Sequence, residues 1–137
     1  MLHKIQRSRR GFTLVEIMVV VALICLIAAI AVPDWLRARK RSQAARILED
    51  LRILDHAVDQ YAIDNSKTGG LNPTFVDLRS YVKNGTVLYS TGADLFGDSY
   101  GPFTVDSIVL VPAAAYSSLS DVAPASFWSP YFSASPP

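Results

Sequence analysis

One cysteine and two histidines in 137 residues remove whole classes of chemistry. Cys25 has no second cysteine to pair with, so no internal disulfide staples the fold, and Cys25, His3 and His56 cannot supply the usual ligand set of a Cys/His zinc site. The chain also lacks a Gly-x-Ser-x-Gly elbow, a phosphate-cradling glycine loop and a His-Glu-x-x-His pair. Without an activated nucleophile, an anion cradle or a metal-bound base, an enzyme is not expected. Charge is scarce as well: 18% of residues are charged and the net charge is +1, which leaves no chain-wide footprint for nucleic acid. A hydrophobic fraction of 50% argues against disorder, and the length allows one small domain and a tail.

What is present is unevenly spread. Residues 1–52 hold ten Lys/Arg and four Asp/Glu, whereas residues 53–137 hold three and eight, an asymmetry that points to a membrane or an assembly. Residues 1–11 form a short basic leader with Lys4, Arg7, Arg9 and Arg10 and no acid. From Phe12 to Val32 only Thr13 and Glu16 interrupt an apolar run of 21 residues. As a helix rising about 1.5 Å per residue, that run just crosses a hydrocarbon core of about 30 Å. Cys25, inside it, reads as a small buried apolar group rather than a reactive thiol.

Past Pro33 the pattern becomes amphipathic. Ala44, Ile47, Leu48, Leu51, Leu54, Val58, Tyr61 and Ala62 recur every three or four residues and form one helical stripe. Arg37, Arg39, Lys40, Arg41, Arg46 and Arg52, with Glu49, Asp50, Asp55 and Asp59, lie mainly off it. His56 on that charged face reads as a solvated histidine. Pro33 removes one backbone donor and crowds the preceding turn, so a kink near Val32 is expected rather than a stop. Residues 12–32 and 33–64 then make one helix of roughly 50 residues, about 75 to 80 Å long.

Residues 65–137 read as a small globular domain. Asn65 to Pro73 collects turn formers and closes the long helix. Thr74 to Tyr81 suggests a short helix capped by Thr74, with Phe75, Leu78 and Val82 inward. Lys83-Asn84-Gly85 is a turn, Thr86 to Tyr89 a short strand, Gly92 to Gly101 a loop, and Phe103 to Val111 the best strand candidate. Four apolar residues in a row, Ile108 to Val111, suggest burial on both faces. Ala113 to Leu119 suggests a helical turn, and the aromatic, charge-poor end from Pro124 is expected to pack. The fold class is therefore α+β: a long N-terminal helix on a small domain with a short antiparallel sheet.

Three readings compete for the first 35 residues: a secretory signal cut after Ala29-Ile30-Ala31, a plain signal anchor, and a leader cut between Gly11 and Phe12. The third rests on Arg10-Gly11-Phe12-Thr13-Leu14-Val15-Glu16-Ile17-Met18-Val19-Val20. This stretch resembles the class III signal of type IV pilins and type II secretion pseudopilins. The resemblance covers residues 9 to about 61, and it implies that a prepilin peptidase cuts after Gly11 and methylates Phe12. It implies a single-pass protein of the bacterial inner membrane, its C-terminal domain periplasmic or extracellular, which polymerises with itself and other pilin-like subunits on an inner-membrane assembly platform. Glu16 and Pro33 become the assembly residues. A carboxylate within an apolar span costs about 2.5 to 3.5 kcal/mol if left charged, so Glu16 is a functional candidate on physical grounds too. It could meet the Phe12 amine of a neighbouring subunit, or lie at the headgroup level near the start of the span.

Asp94-Leu95-Phe96-Gly97-Asp98-Ser99-Tyr100 resembles the Asp-Pro-Trp-Gly-x-x-Tyr loop of the major pseudopilins, with Leu95 and Phe96 at the proline and tryptophan positions. That resemblance implies calcium as the one candidate cofactor, with Asp94, Asp98, Asp106 and Asp121 as its candidate ligands. The residues themselves read more simply as a turn before the sheet, Gly97 permitting a positive φ and Asp94 bonding backbone donors. A rival from another class is a membrane-anchored binding module, with Tyr100, Phe103, Trp128 and Tyr131 as its contact surface. The basic run Arg37 to Arg41 follows the span closely, which favours lipid contact or inter-subunit pairing over DNA.

Overall fold

The computed structural model describes residues 11–66 and 69–132. The leader residues before Gly11 and the prolines at the C-terminus lie outside the described residues. Helix α1 runs Leu14–Asp64 and passes through Pro33 without a stop. The chain divides into two compact units, Met1–Leu36 and Arg37–Pro137.

In the first unit every described residue is exposed. Fourteen large apolar side chains between Phe12 and Val32 stand open, Phe12 at 81% and Ile30 at 69%. This stretch lies in the one helix, among the described residues, that is long and apolar enough to cross a membrane. Cys25 is exposed with its neighbours, not buried, because among the described residues of this unit no second element packs against the helix.

In the second unit the same helix becomes a core element. Ala44, Ile47, Leu51, Leu54, Ala57 and Val58 are buried, and Leu48, Tyr61 and Ala62 pack at their margin. Spacings of three and four place these residues on one face. Asn65 ends the helix, its side-chain amide and its backbone N–H both donating to the Tyr61 carbonyl at 2.9 and 3.1 Å.

Around this stripe the chain folds into short elements. Helix α2, Phe75–Leu78, continues as a 3-10 turn, Arg79–Tyr81. Asp77 accepts from the Thr74 amide at 2.8 Å and the Thr74 hydroxyl at 2.7 Å, securing the helix start as expected. Leu78 and Val82 are buried and Phe75 packs beside them. Helix α3, Val87–Thr91, replaces the expected Thr86–Tyr89 strand. Two caps decide this: the Thr86 hydroxyl accepts from the Tyr89 amide at 3.1 Å, and Gly92 closes the helix at φ 63°, donating to the Leu88 carbonyl at 2.8 Å.

The expected antiparallel sheet does not form among the described residues, where pairing amounts to an isolated bridge between Ala93 and Ser99. Phe103–Val111 is instead broken by a turn. The Ser107 amide donates to the Thr104 carbonyl at 3.1 Å and Asp106 takes φ 63°. Of the four apolar residues only Val109 is fully buried, while Ile108 and Leu110 are about half exposed. Helix α4, Ala113–Leu119, buries Ala115 and Leu119 one turn apart. A last 3-10 turn, Ala125–Trp128, seats Trp128 with no exposed surface, its indole N–H donating to the Ala123 carbonyl at 3.0 Å. Tyr116 stacks on Phe132 with ring centroids 4.5 Å apart, so the aromatic end packs as expected through Phe132.

Candidate functional site

Two places bring the candidate residues together: the start of α1 and the Asp94 loop. Gly11, Phe12 and Thr13 precede the helix, and all three are exposed. Glu16 sits in the first turn. Its amide donates to the Thr13 hydroxyl at 3.2 Å, and its Oε2 accepts from the Thr13 amide at 3.4 Å. This reciprocal pair is a capping box, which satisfies helix-start donors that have no intrahelical partner. The pattern Thr-x-x-Glu at Thr13–Glu16 is the sequence signal for this cap, within a run where both residues otherwise stand out only as interruptions of apolarity. A carboxylate at this position also suits the positive end of the helix dipole. Pro33 lies inside α1 and is exposed.

Asp94 organises its loop. Its Oδ1 accepts from the Phe96 amide at 2.8 Å and the Asp98 amide at 2.9 Å, its own amide donates to the Asp98 carbonyl at 2.8 Å, and its carbonyl accepts from Gly97 at 3.2 Å. Gly97 takes φ 91°. This is the Asx-type turn that the residues predict. Asp94 is 5% exposed, and its second oxygen, Oδ2, is buried with no hydrogen-bond partner.

Beside this turn Tyr100 is buried and donates its hydroxyl to Asp50 Oδ2 on α1 at 3.2 Å. Burial pushes the Asp50 carboxyl above the usual carboxylate range, against the opposing hydrogen bond from Tyr100 and the charge of Arg46. Burial, reinforced by the Asp50 charge, pushes the Tyr100 hydroxyl well above the usual phenol range. Asp50 and Tyr100 are fifty residues apart, and no sequence signal joins them.

The four candidate calcium ligands do not converge. Asp94 and Asp98 share one turn, whereas Asp106 is exposed in the turn after Thr104, close to Gly69. Asp121 pairs with Lys40 Nζ at 2.8 Å, which lowers its pKa from the ordinary carboxylate value. Among the described residues no group of three or more His, Cys, Asp or Glu is placed to hold a metal ion. His56 is exposed on α1.

The first unit thus combines an exposed apolar helix long enough to cross a membrane, a capped glutamate at its start and an exposed Gly-Phe junction before it. Residues 6–32 match the prokaryotic N-terminal methylation motif. The resemblance to pilins and pseudopilins extends to three curated relatives, each aligned over less than half of this chain. The chain is 36% identical over 62 residues to the type II secretion system core protein G of Klebsiella michiganensis, covering 45% of this chain and 44% of that one. It is 36% identical over 63 residues to the core protein G of Vibrio cholerae, covering 46% and 43%. It is also 36% identical over 61 residues to the type IV major fimbrial protein of Dichelobacter nodosus, covering 44% and 39%. The chain thus spans less than half the length of the curated relatives it matches. No solved structure matches it.

Proposed function

We propose that this chain is a pilin-like structural subunit, cleaved after Gly11, methylated on Phe12, and assembled into a type II secretion pseudopilus or a type IV pilus-like filament. The observation that carries the reading is the match to the methylation motif on the apolar run from Phe12 to Val32, every residue of which is exposed. A face of that size needs a lipid or protein environment, and a bilayer followed by a filament core supplies both in turn. Before assembly the subunit is a single-pass inner-membrane protein with the second unit on the periplasmic side. Prepilin peptidase, an inner-membrane assembly platform and other pilin-like subunits are the partners this requires.

Glu16 has two roles in sequence. In the monomer it caps its own helix through Thr13. In the filament its carboxylate meets the new Phe12 amine of a neighbouring subunit, which offsets the cost of a charge in an apolar core and sets the axial register. Type II secretion is favoured over an adhesive pilus by the Asp94 turn and by core protein G relatives. The test is electron microscopy of sheared surface fractions from cells expressing the chain with a type II secretion assembly system. Filaments decorated by an antibody to the second unit are expected; processed protein that stays in the membrane under all conditions would refute polymerisation.

A further inference from the structure

Just past the apolar span lies a second feature that the filament reading does not use. Between Pro33 and Arg46 the chain carries Arg37, Arg39, Lys40, Arg41 and Arg46 against one acid, Asp34. All of this stretch is helical. Arg37, Arg39 and Arg41 are exposed, and Lys40 is half-buried and tied to Asp121. At about 100° of turn per residue, Arg37 and Arg41 share one face and Arg39 lies on roughly the opposite one. The cations therefore girdle the helix rather than stripe it. A stripe would suit one protein partner, whereas a girdle suits surroundings that are the same on every side.

The distance along the chain identifies those surroundings. Arg37, Arg39 and Arg41 follow Val32 by five, seven and nine residues of α1, about 8, 11 and 14 Å at the helical rise of about 1.5 Å per residue. The polar layer on each side of a hydrocarbon core is about 5 to 8 Å deep, within reach of long arginine side chains. Trp35, exposed at 60% and three residues past Val32, is of the residue type that settles at membrane–water boundaries.

We infer that Arg37, Arg39 and Arg41 form a collar that binds anionic phospholipid headgroups on the side of the membrane where the second unit lies. The collar holds the unassembled subunit at a fixed depth, and leaving the bilayer requires those contacts to break. The inference rests on the membrane placement of the 12–32 span and not on polymerisation.

The full chain is reconstituted in phosphatidylcholine nanodiscs containing a minority of phosphatidylglycerol, and electron spin resonance compares how strongly it restrains spin-labelled phosphatidylglycerol and spin-labelled phosphatidylcholine. A preference for the anionic lipid of at least about threefold is expected at low salt. It should fall to parity in about 1 M salt, where the screening length is about 3 Å. It should also fall to parity in the triple variant Arg37→Gln, Arg39→Gln, Arg41→Gln, and survive when the same positions become lysine. Parity in the unaltered chain, or an undiminished preference in the glutamine variant, overturns the collar. A glutamine variant that keeps the lipid preference and loses only self-association would assign the cations to inter-subunit pairs instead. Failure of the chain to enter nanodiscs would overturn both the collar and the membrane reading, whereas entry without preference overturns the collar alone.

Discussion

From Leu14 to Val32 helix α1 exposes every residue, while between Ala44 and Val58 it buries six of fifteen and keeps its charges on the other face. Both stretches have the same backbone, and their side chains are chosen for different surroundings. The first is apolar on all sides, as a helix must be where no water is present to solvate a polar face. The second is apolar on one stripe and finds its solvent-excluded neighbours within its own unit, among Leu78, Leu88, Val109, Leu119 and Trp128. Stability of the second unit should therefore be insensitive to the first stretch, and assembly should depend on it.

The sharpest break of that comparison is Glu16→Ala. It is expected to abolish filaments in the sheared fraction while leaving the urea midpoint of the detergent-solubilised chain unchanged, read by near-ultraviolet circular dichroism. Loss of both together would mean that Glu16 supports the fold and not the assembly.

Core truncation runs the other way. Trp128→Ala removes a fully buried indole and its bond to Ala123, and should cost about 3 to 5 kcal/mol of unfolding free energy in urea titration. Leu23→Ala in the exposed stretch should stay within about 0.5 kcal/mol of the unaltered chain. A matching loss at Leu23 would contradict the division of α1.

Gly92→Ala is a smaller perturbation of the second unit. The glycine holds a left-handed conformation, and an added Cβ would come within 2.6 Å of the Phe75 ring. Strain and clash together should cost about 1 to 3 kcal/mol, measurable as a lowered Tm.

The smallest effect concerns pH. Because the folded state raises the Asp50 pKa, this group's contribution to stability is fully present below the ordinary carboxylate value and is lost as pH rises through the folded-state value. Asp50→Asn should remove that slope and, since the carboxylate is only partly buried, raise neutral-pH stability by about 0.5 kcal/mol or less. Urea midpoints across the acidic and neutral range check the sign.

Much of this division was legible in residue order. The apolar run, the stripe from Ala44 to Ala62, the Thr74 cap and the Ala113–Leu119 helix each depend on local spacing or a local hydrogen bond, and each appears where the pattern places it. The sheet failed for an equally local reason. Val87, Leu88 and Tyr89 favour strands by residue type, yet Thr86 and Gly92 stand at cap positions and prevail over that weak propensity. Phe103 to Val111 looked continuous because nothing in its composition marked Asp106 as a left-handed turn residue. At the site, the Asp94 turn could be read from Asp-x-x-Gly, whereas the Asp50–Tyr100 bond joins segments that only the folded chain brings together.

The central claim, that Phe12 begins the mature protein and α1 enters the membrane and then a filament, is tested most directly by mass spectrometry of the N-terminus of the protein isolated from membranes of cells that contain a prepilin peptidase. A chain beginning at N-methylated Phe12 is the predicted result. A chain beginning at Val32, or one that keeps Met1 and the whole leader, would contradict the account.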